Sequence, residues 1–420
     1  MNPSGDSNKK LAFRLNNPTQ HFMRLMLILI LSASALLPLG AGAQTADDIL
    51  NILTRKGTIS RSEADSIRSE YTSRQRATDA RLDSFPLSLG RSLRLSGYTQ
   101  VRYQYNQQPS KISGFEFRRA RLDFQGDFSS RWGYRLLVDF VGASGTTGST
   151  ATGGAIISPT LLDAFVSYKP FDFLKVTAGQ FTIPFSLENL TQDRNLEAVD
   201  RSQVVSALVA RKGDASNGLV DSIGNQNGRD VGIQISGGLG RVANRYIVDY
   251  YLAMLNGAGI NTLDNNQSKD IDARLVVHPL SVLDIGGSYY NGYDRFISSP
   301  AKDQLRIRWG GEIALNLKLL SFRGEYIAGR EGSVNPAKHD GWYAQASYFL
   351  WPKHLQGVVR YDTYNPSKNA VKTDPASTYY VFGLNYFFNV WTKIQLNYSR
   401  RIETPAINND VFSAQVQLAF

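Results

Sequence analysis

The chain has 420 residues, with 46 Lys and Arg against 36 Asp and Glu, a formal net charge of +10 and no cysteine. The missing cysteines exclude a disulfide framework, a thiolate metal site and a cysteine nucleophile. With 42% hydrophobic and 20% charged residues the chain is too apolar to be disordered, yet it lacks the repeated runs of about 20 apolar residues that a helical membrane bundle needs.

One long apolar run stands near the N-terminus. Arg24 precedes LMLILILSASALLPLG, and Ala41-Gly42-Ala43 comes just before Gln44. A positive flank, an apolar segment and an A-x-A site predict a secretory signal peptide over residues 1–43, with an uncleaved anchor as the alternative. The stretch before Met23 is long and polar, so Met23 competes with Met1 as the start of translation, which peptide mapping of the precursor separates. Cleavage after Ala43 removes four basic residues and one acidic residue, leaving a net charge of +7.

Residues 44–91 have a different texture. Ile49, Ile52 and Leu53 fall at helical spacing between Asp47-Asp48 and Arg55-Lys56, and Gly57 is a natural stop. Ser60 with Glu63 resembles a capping box opening a second helix, with Ala64, Ile67 and Tyr71 on one stripe. This predicts a small periplasmic helical hairpin and a polar linker, serving either to contact the cell wall or sister subunits, or as an inert leader.

From Ser92 onward the period is 2. In DQLRIRWGGEIALNLK, Leu305, Ile307, Trp309, Ile313 and Leu315 oppose Arg306, Arg308, Glu312 and Asn316. Such alternation places one face against an apolar medium and the other against water. Sixteen segments of this kind start near residues 92, 115, 132, 160, 173, 229, 244, 269, 282, 303, 319, 341, 354, 377, 390 and 411.

The connections between them alternate strictly. Tight ones (SSR, KPFDF, GGLGR, HPLS, Leu319-Leu320, WPKH, FNV) take turns with long polar ones near 106–112, 142–159, 182–228, 256–268, 292–302, 329–340, 364–376 and 402–410. This predicts an all-β fold, an antiparallel transmembrane barrel of about 16 strands over residues 92–420, with brief periplasmic turns and extended outside loops. Aromatics such as Trp132, Tyr168, Phe171, Phe173, Trp351, Phe388 and Trp391 flank the tight turns, as an interfacial girdle would. The last segment, VFSAQVQLAF, ends on Phe420, which resembles the C-terminal insertion signal read by the barrel-assembly machinery.

Three blocks, FEFRRARLDFQGDFSSRWGYRLLVDF (115–140), LLDAFVSYKPFDFLKVTAGQFTIPFSLENLT (161–191) and GRDVGIQISG (228–237), resemble the phosphate-selective porin O and P family. The resemblance runs from about residue 92 to the C-terminus and is strongest before residue 240. It implies a homotrimeric outer-membrane porin of a Gram-negative bacterium whose third external loop folds inward to narrow the pore. That loop is Thr182–Gly228, the longest of the eight, with Arg194 and Arg201 in DRNLEAVDRSQVVSALVA, a segment expected to form a short lumenal helix. The family's arginine-rich second strand carries over onto Arg118, Arg119 and Arg121. Many members would have a basic residue after the GQF block, where Thr182 stands in this chain.

The polar parity supplies an inventory of lumen charges. Arg119/Arg121 and Arg306/Arg308 are i,i+2 pairs on one face, about 7 Å apart by strand rise, and Arg102 and Arg135 share that parity. Guanidinium forks suit phosphate, and rings of Arg or Lys build anion pores, so these six are candidates for a pore-lining anion ladder. The alternative is a brace, in which the same arginines pair with Asp123, Asp139, Asp163 and Glu312 across the wall.

No enzyme is expected. His278, His354 and His339, placed by this reading in two tight turns and an external loop, have no companion at metal-ligand spacing. No G-x-S-x-G and no phosphate-cradling loop ahead of a helix occurs. The basic residues are spread evenly, which disfavours nucleic acid. Two readings remain: a passive porin with no cofactor, passing small hydrophilic solutes such as phosphate or other inorganic anions, and a non-conducting surface barrel serving adhesion, scaffolding or secretion.

Overall fold

The computed structural model describes Glu63, Leu87–Ser88 and residues 93–141, 159–210, 228–242, 245–296, 302–333, 336–366, 376–403 and 406–420. The signal peptide, hairpin and linker expected over residues 1–91 lie outside these, apart from Glu63 and Leu87–Ser88.

Strand β1 (Leu87–Ser88) pairs with the start of β2 (Arg94–Asn106). Then come β3 (Gly114–Asp127), β4 (Trp132–Asp139), β5 (Thr160–Phe171), β6 (Leu174–Thr182), β7 (Arg229–Val242), β8 (Arg245–Leu255), β9 (Asp270–Leu280) and β10 (Leu283–Phe296). The chain continues through β11 (Lys302–Asn316), β12 (Leu320–Glu331), β13 (Ala337–Trp351), β14 (Leu355–Asn365), β15 (Ser377–Phe387), β16 (Thr392–Glu403) and β17 (Val411–Ala419). From β2 onward each strand pairs antiparallel with the next, and β17 pairs with β2, so sixteen strands close into a barrel without an edge. Observed starts at 132, 160, 229, 377 and 411 coincide with those expected from the alternation. The loop expected over 329–340 is shorter, because β12 continues to Glu331 and β13 begins at Ala337. His339, expected in that loop, therefore sits within β13, and His278 lies in β9 rather than in a turn.

The wall is inverted relative to a water-soluble protein. Along β13, Tyr343, Gln345 and Ser347 are buried while Trp342, Tyr348 and Leu350 are exposed. Along β9, Asp270, Asp272 and Arg274 are buried while Ile271 and Leu275 are exposed. Polar side chains share the lumen, and apolar ones face the hydrocarbon. Aromatics form two belts, not only the one expected at the tight turns. Trp132–Tyr168 (centroids 4.6 Å apart), Phe171–Phe173 (5.3 Å) and Tyr386–Phe388 (5.0 Å) mark the tight-turn end. Tyr103–Phe115 (4.9 Å) and Trp342–Tyr361 (4.8 Å) lie toward the long-loop end, and Trp309–Tyr326 (5.3 Å) sits midway along β11 and β12.

The chain end completes the closure. Phe420 N–H donates to the Gly97 carbonyl and Gly97 N–H to the Phe420 carbonyl, both at 2.9 Å. A Cβ at Gly97 would stand 2.6 Å from the Arg121 carbonyl oxygen and 2.6 Å from the Phe420 ring. Gly97→Val is therefore expected to cost about 1–3 kcal/mol by overpacking. A lower temperature for loss of the compact, heat-modifiable band on an SDS gel would report it.

Alternation slips once at a place that matters. Phe115 and Phe117 face outward, 82% and 63% exposed. The register then shifts between Val101–Phe117 and Gln100–Arg119, leaving Arg118 as an extra residue on β3. After this bulge Arg119, Arg121 and Asp123 are buried, and Arg118 also reaches inward, to 3.6 Å from Asp200.

Asp200 belongs to the segment after β6, which folds back into the barrel. It contains α1 (Leu187–Leu190), a 3-10 turn (Asp193–Asn195) and α2 (Gln203–Leu208), with extended backbone at Leu196 between the last two. The single lumenal helix expected within 193–210 is thus two short pieces. Serine starts each α-helix: the Ser186 hydroxyl accepts from Asn189 N–H at 3.2 Å and that of Ser202 from Val205 N–H at 3.4 Å. Val204, Val205 and Leu208 of α2 pack with Phe185 against inward-facing Leu255, Tyr290, Ile327 and Tyr343. At about 1.5–3 kcal/mol per fully buried side chain, this cluster holds the loop to one side of the lumen.

Candidate functional site

Carboxylates of the inward loop and of the wall meet the opposite partner's donors across the lumen. Glu188, fully buried in α1, accepts from Ser202 N–H at 2.7 Å and from Arg360 Nη2 at 2.6 Å. The N–H groups of Leu187 and Glu188 donate to Glu325 of β12 at 3.0 and 2.7 Å. Glu197 accepts from Ser321 Oγ at 2.8 Å, Gln345 Nε2 at 2.6 Å and Ser347 Oγ at 2.9 Å. Further round the same wall Lys393 Nζ donates to the Leu196 carbonyl at 3.0 Å, and on β14 Asp362 accepts from Gln203 N–H of the loop at 3.0 Å.

Two loop aspartates meet the arginines of β2 and β3. Asp193 stands 3.2 Å from Arg119 Nε and also pairs with Arg121 and with Arg201 of the loop itself. Burial alone would raise its carboxyl, but Arg119, Arg201 and Arg121 together hold it well below the usual carboxylate range. Asp200 is held by Arg102 through two parallel bonds of 3.0 Å, the fork geometry of an Arg–carboxylate pair. Arg201 further donates to the carbonyls of Thr191, at 2.9 Å, and Glu188, at 3.2 Å.

Each of the six candidate ladder residues carries a carboxylate partner. Arg102 has Asp200, Arg119 has Asp193, and Arg121 has Asp139 at 2.7 Å together with Asp193. Arg135 spans Asp123 at 2.8 Å and Asp163 at 3.0 Å. Arg306 pairs with Asp294, and Arg308 with Glu331. Glu312, the fourth carboxylate expected to brace them across the wall, pairs with Arg274, which is not one of the six. Arg306 and Arg308, both 2% exposed, border a small cavity of about 20 Å³ against Phe185 and Leu208. They lie half a turn of the barrel from Arg119 and Arg121, so the two i,i+2 pairs do not form one column.

A further cavity of about 160 Å³ is bordered by Arg274 and His278 with Asp249, Asp284 and Glu312, and two larger ones lie along Arg121 and Arg201. One, about 220 Å³, lies toward the tight-turn end and is bordered by Arg121, Arg135, Lys175, Arg194, Arg201 and Arg229 with Asp123, Asp163 and Asp193. The other, about 310 Å³, lies toward the long-loop end and is bordered by Arg118, Arg119, Arg121, Arg201, Arg360 and Arg401 with Asp139, Asp200 and Asp362. Arg121 and Arg201 border both, which puts the narrowing between them. Thr182, the last residue of β6 rather than part of the loop, borders the first cavity, and so does Arg194, bonded to Gln192 at 2.8 Å. Among the described residues no group of His, Asp and Glu is arranged to hold a metal ion.

A sequence model of the phosphate-selective porin O and P family matches residues 93–420. The chain belongs to that family, and with it to the porins that pass small solutes through the outer membrane. Comparison with curated proteins gives no match. Among solved structures, the barrel is similar to an anion-selective porin from Comamonas acidovorans, with a TM-score of 0.54 and 14% identity, over 78% of this chain and 99% of that one. It is similar also to OmpT of Vibrio cholerae (TM-score 0.52, 11% identity, 80% and 100% covered). A third likeness is to the outer membrane channel DcaP of Acinetobacter baumannii (TM-score 0.52, 11% identity, 80% and 99% covered). At these identities the likeness is one of fold.

Proposed function

We propose that the protein is a passive, anion-preferring diffusion pore, working without cofactor or catalysis and admitting phosphate among other small anions. The observation that carries this is the lining of the two lumenal cavities that meet at Arg121 and Arg201, each bordered by six Arg or Lys side chains and three Asp. Braced arginines still set the potential of a narrow, low-dielectric passage, and their excess charge favours anions over cations. The bracing fixes their positions, so ladder and brace are not exclusive. Assembly as a homotrimer, insertion by the barrel-assembly machinery through Phe420, and a periplasmic hairpin at the N-terminus complete the reading.

The test is the zero-current potential of the refolded full chain in a planar bilayer under a KCl gradient. A potential of the sign set by chloride is expected. One set by potassium would refute anion preference, and absence of any channel current would favour the non-conducting barrel.

A further inference from the structure

The cavity toward the long-loop end differs from a site built only for an inorganic anion. Beside its guanidinium groups, its border includes Val381, Val199, Ala198 and Val411. Phosphate gains nothing from such a wall, whereas the carbon body of an organic anion does. Its arginines are also not equivalent. Arg401 stacks on the Tyr379 ring with 4.7 Å to the centroid, its Nε has no hydrogen-bond partner, and it makes no ion pair with Asp or Glu among the described residues. Asp200, which borders the cavity, fills the fork of Arg102 behind it and stands 3.6 Å from Arg118 on the border itself, with its side chain 53% exposed. The loop thus already displays the ligand chemistry this part of the lumen accepts: a carboxylate against guanidinium groups.

We propose that this cavity is a transient binding site for small organic carboxylates. Arg401 is its open anion seat, Val381 and its neighbours are the wall for the carbon body, and Asp200 is a built-in competitor for Arg118. The proposal rests on the anion-preferring reading and names a solute class for it. A solute entering from the long-loop end pairs with Arg401 without displacing any protein carboxylate. Passing on toward Arg121 and Arg201 requires it to compete with Asp200, which keeps the site from becoming a trap.

Chloride current through the refolded full chain would be titrated with benzoate, acetate or phosphate at constant ionic strength. Benzoate is expected to block at about tenfold lower concentration than acetate or phosphate, the share of an apolar contact added to one charge-assisted bond. Arg401→Gln is expected to raise the benzoate concentration for half block about tenfold, and Asp200→Asn to lower it. Val381→Asn, which keeps every charge, should abolish the difference between benzoate and acetate and leave phosphate unchanged. Equal block by phosphate and benzoate, or an Arg401→Gln channel that conducts with unaltered benzoate block, would overturn the proposal. A potassium-selective reversal potential would instead overturn the anion reading beneath it, so the two failures are told apart.

Discussion

Replacing Glu188 with Ala is expected to release the inward loop from the barrel wall and raise the open-channel conductance. The side chain is fully buried and takes the Ser202 N–H at 2.7 Å and Arg360 Nη2 at 2.6 Å, so it joins α1, the N-terminus of α2 and strand β14 at one point. Its removal leaves Arg360, itself 2% exposed, without its carboxylate, and breaking a buried pair on one side costs about 3–5 kcal/mol. Such a loss is comparable to the burial of one or two apolar side chains of α2, which restrain the loop on this side together with Glu197, Glu325 and Asp362. Glu188→Gln keeps an acceptor for Ser202 and should have a smaller effect in the same direction. Single-channel conductance, with protease sensitivity of residues 182–228, measures the outcome; an unchanged conductance and a protected loop would assign the anchoring to Glu197 instead.

Asp193→Asn is expected to strengthen anion selectivity. Asp193 is the counter-charge shared by Arg119, Arg121 and Arg201, and two of these border both cavities. Without it, Asp139 is the remaining carboxylate against Arg121, and the narrowing gains close to one positive charge. The pH dependence has a definite sign. A carboxyl held below its ordinary value stays ionised, and keeps its stabilising pairing, at and above that value; the pairing is lost only as pH falls through the depressed value. The difference in reversal potential between wild type and Asp193→Asn should therefore persist from pH 8 down to about 4, the ordinary Asp range, and close only in stronger acid. A difference that has already closed at pH 6 would remove Asp193 from this role.

Much of the barrel is legible without coordinates because lipid and water impose a period of 2 on every strand. The opposed residues of DQLRIRWGGEIALNLK are enough to place β11, and the alternation of tight and long connections fixes which strands are neighbours. The β3 bulge is also written in the chain, though less openly. Phe115 and Phe117 share a parity with Arg119 and Arg121, whereas Ala120, Leu122 and Phe124 take the other, and only an inserted residue reconciles the two. Reading that slip would have added Arg118 to the inward set. The inward faces of β8 and β10 carry a further sign: Ala253, Leu255 and Tyr290 break the polar parity because α2 packs on them.

The partners of the arginines were less accessible. Asp123, Asp139 and Asp163 lie one or two strands away from their arginines and follow from register. Asp193, Asp200 and Glu188 reach theirs across the lumen, over 72, 98 and 172 residues of chain respectively. No local spacing encodes such contacts; they depend on which wall the loop leans against, and that is decided by the apolar face of α2.

The apolar cluster also dictates an order of events. Its members run from Phe181 to Tyr343 in sequence and include Leu255, Tyr290 and Ile327, so the surface that receives α2 exists only after several strands have paired. The loop can therefore dock on this wall, and narrow the channel, only after strands β8 to β13 have paired, whereas closure of β17 on β2 is not required for it.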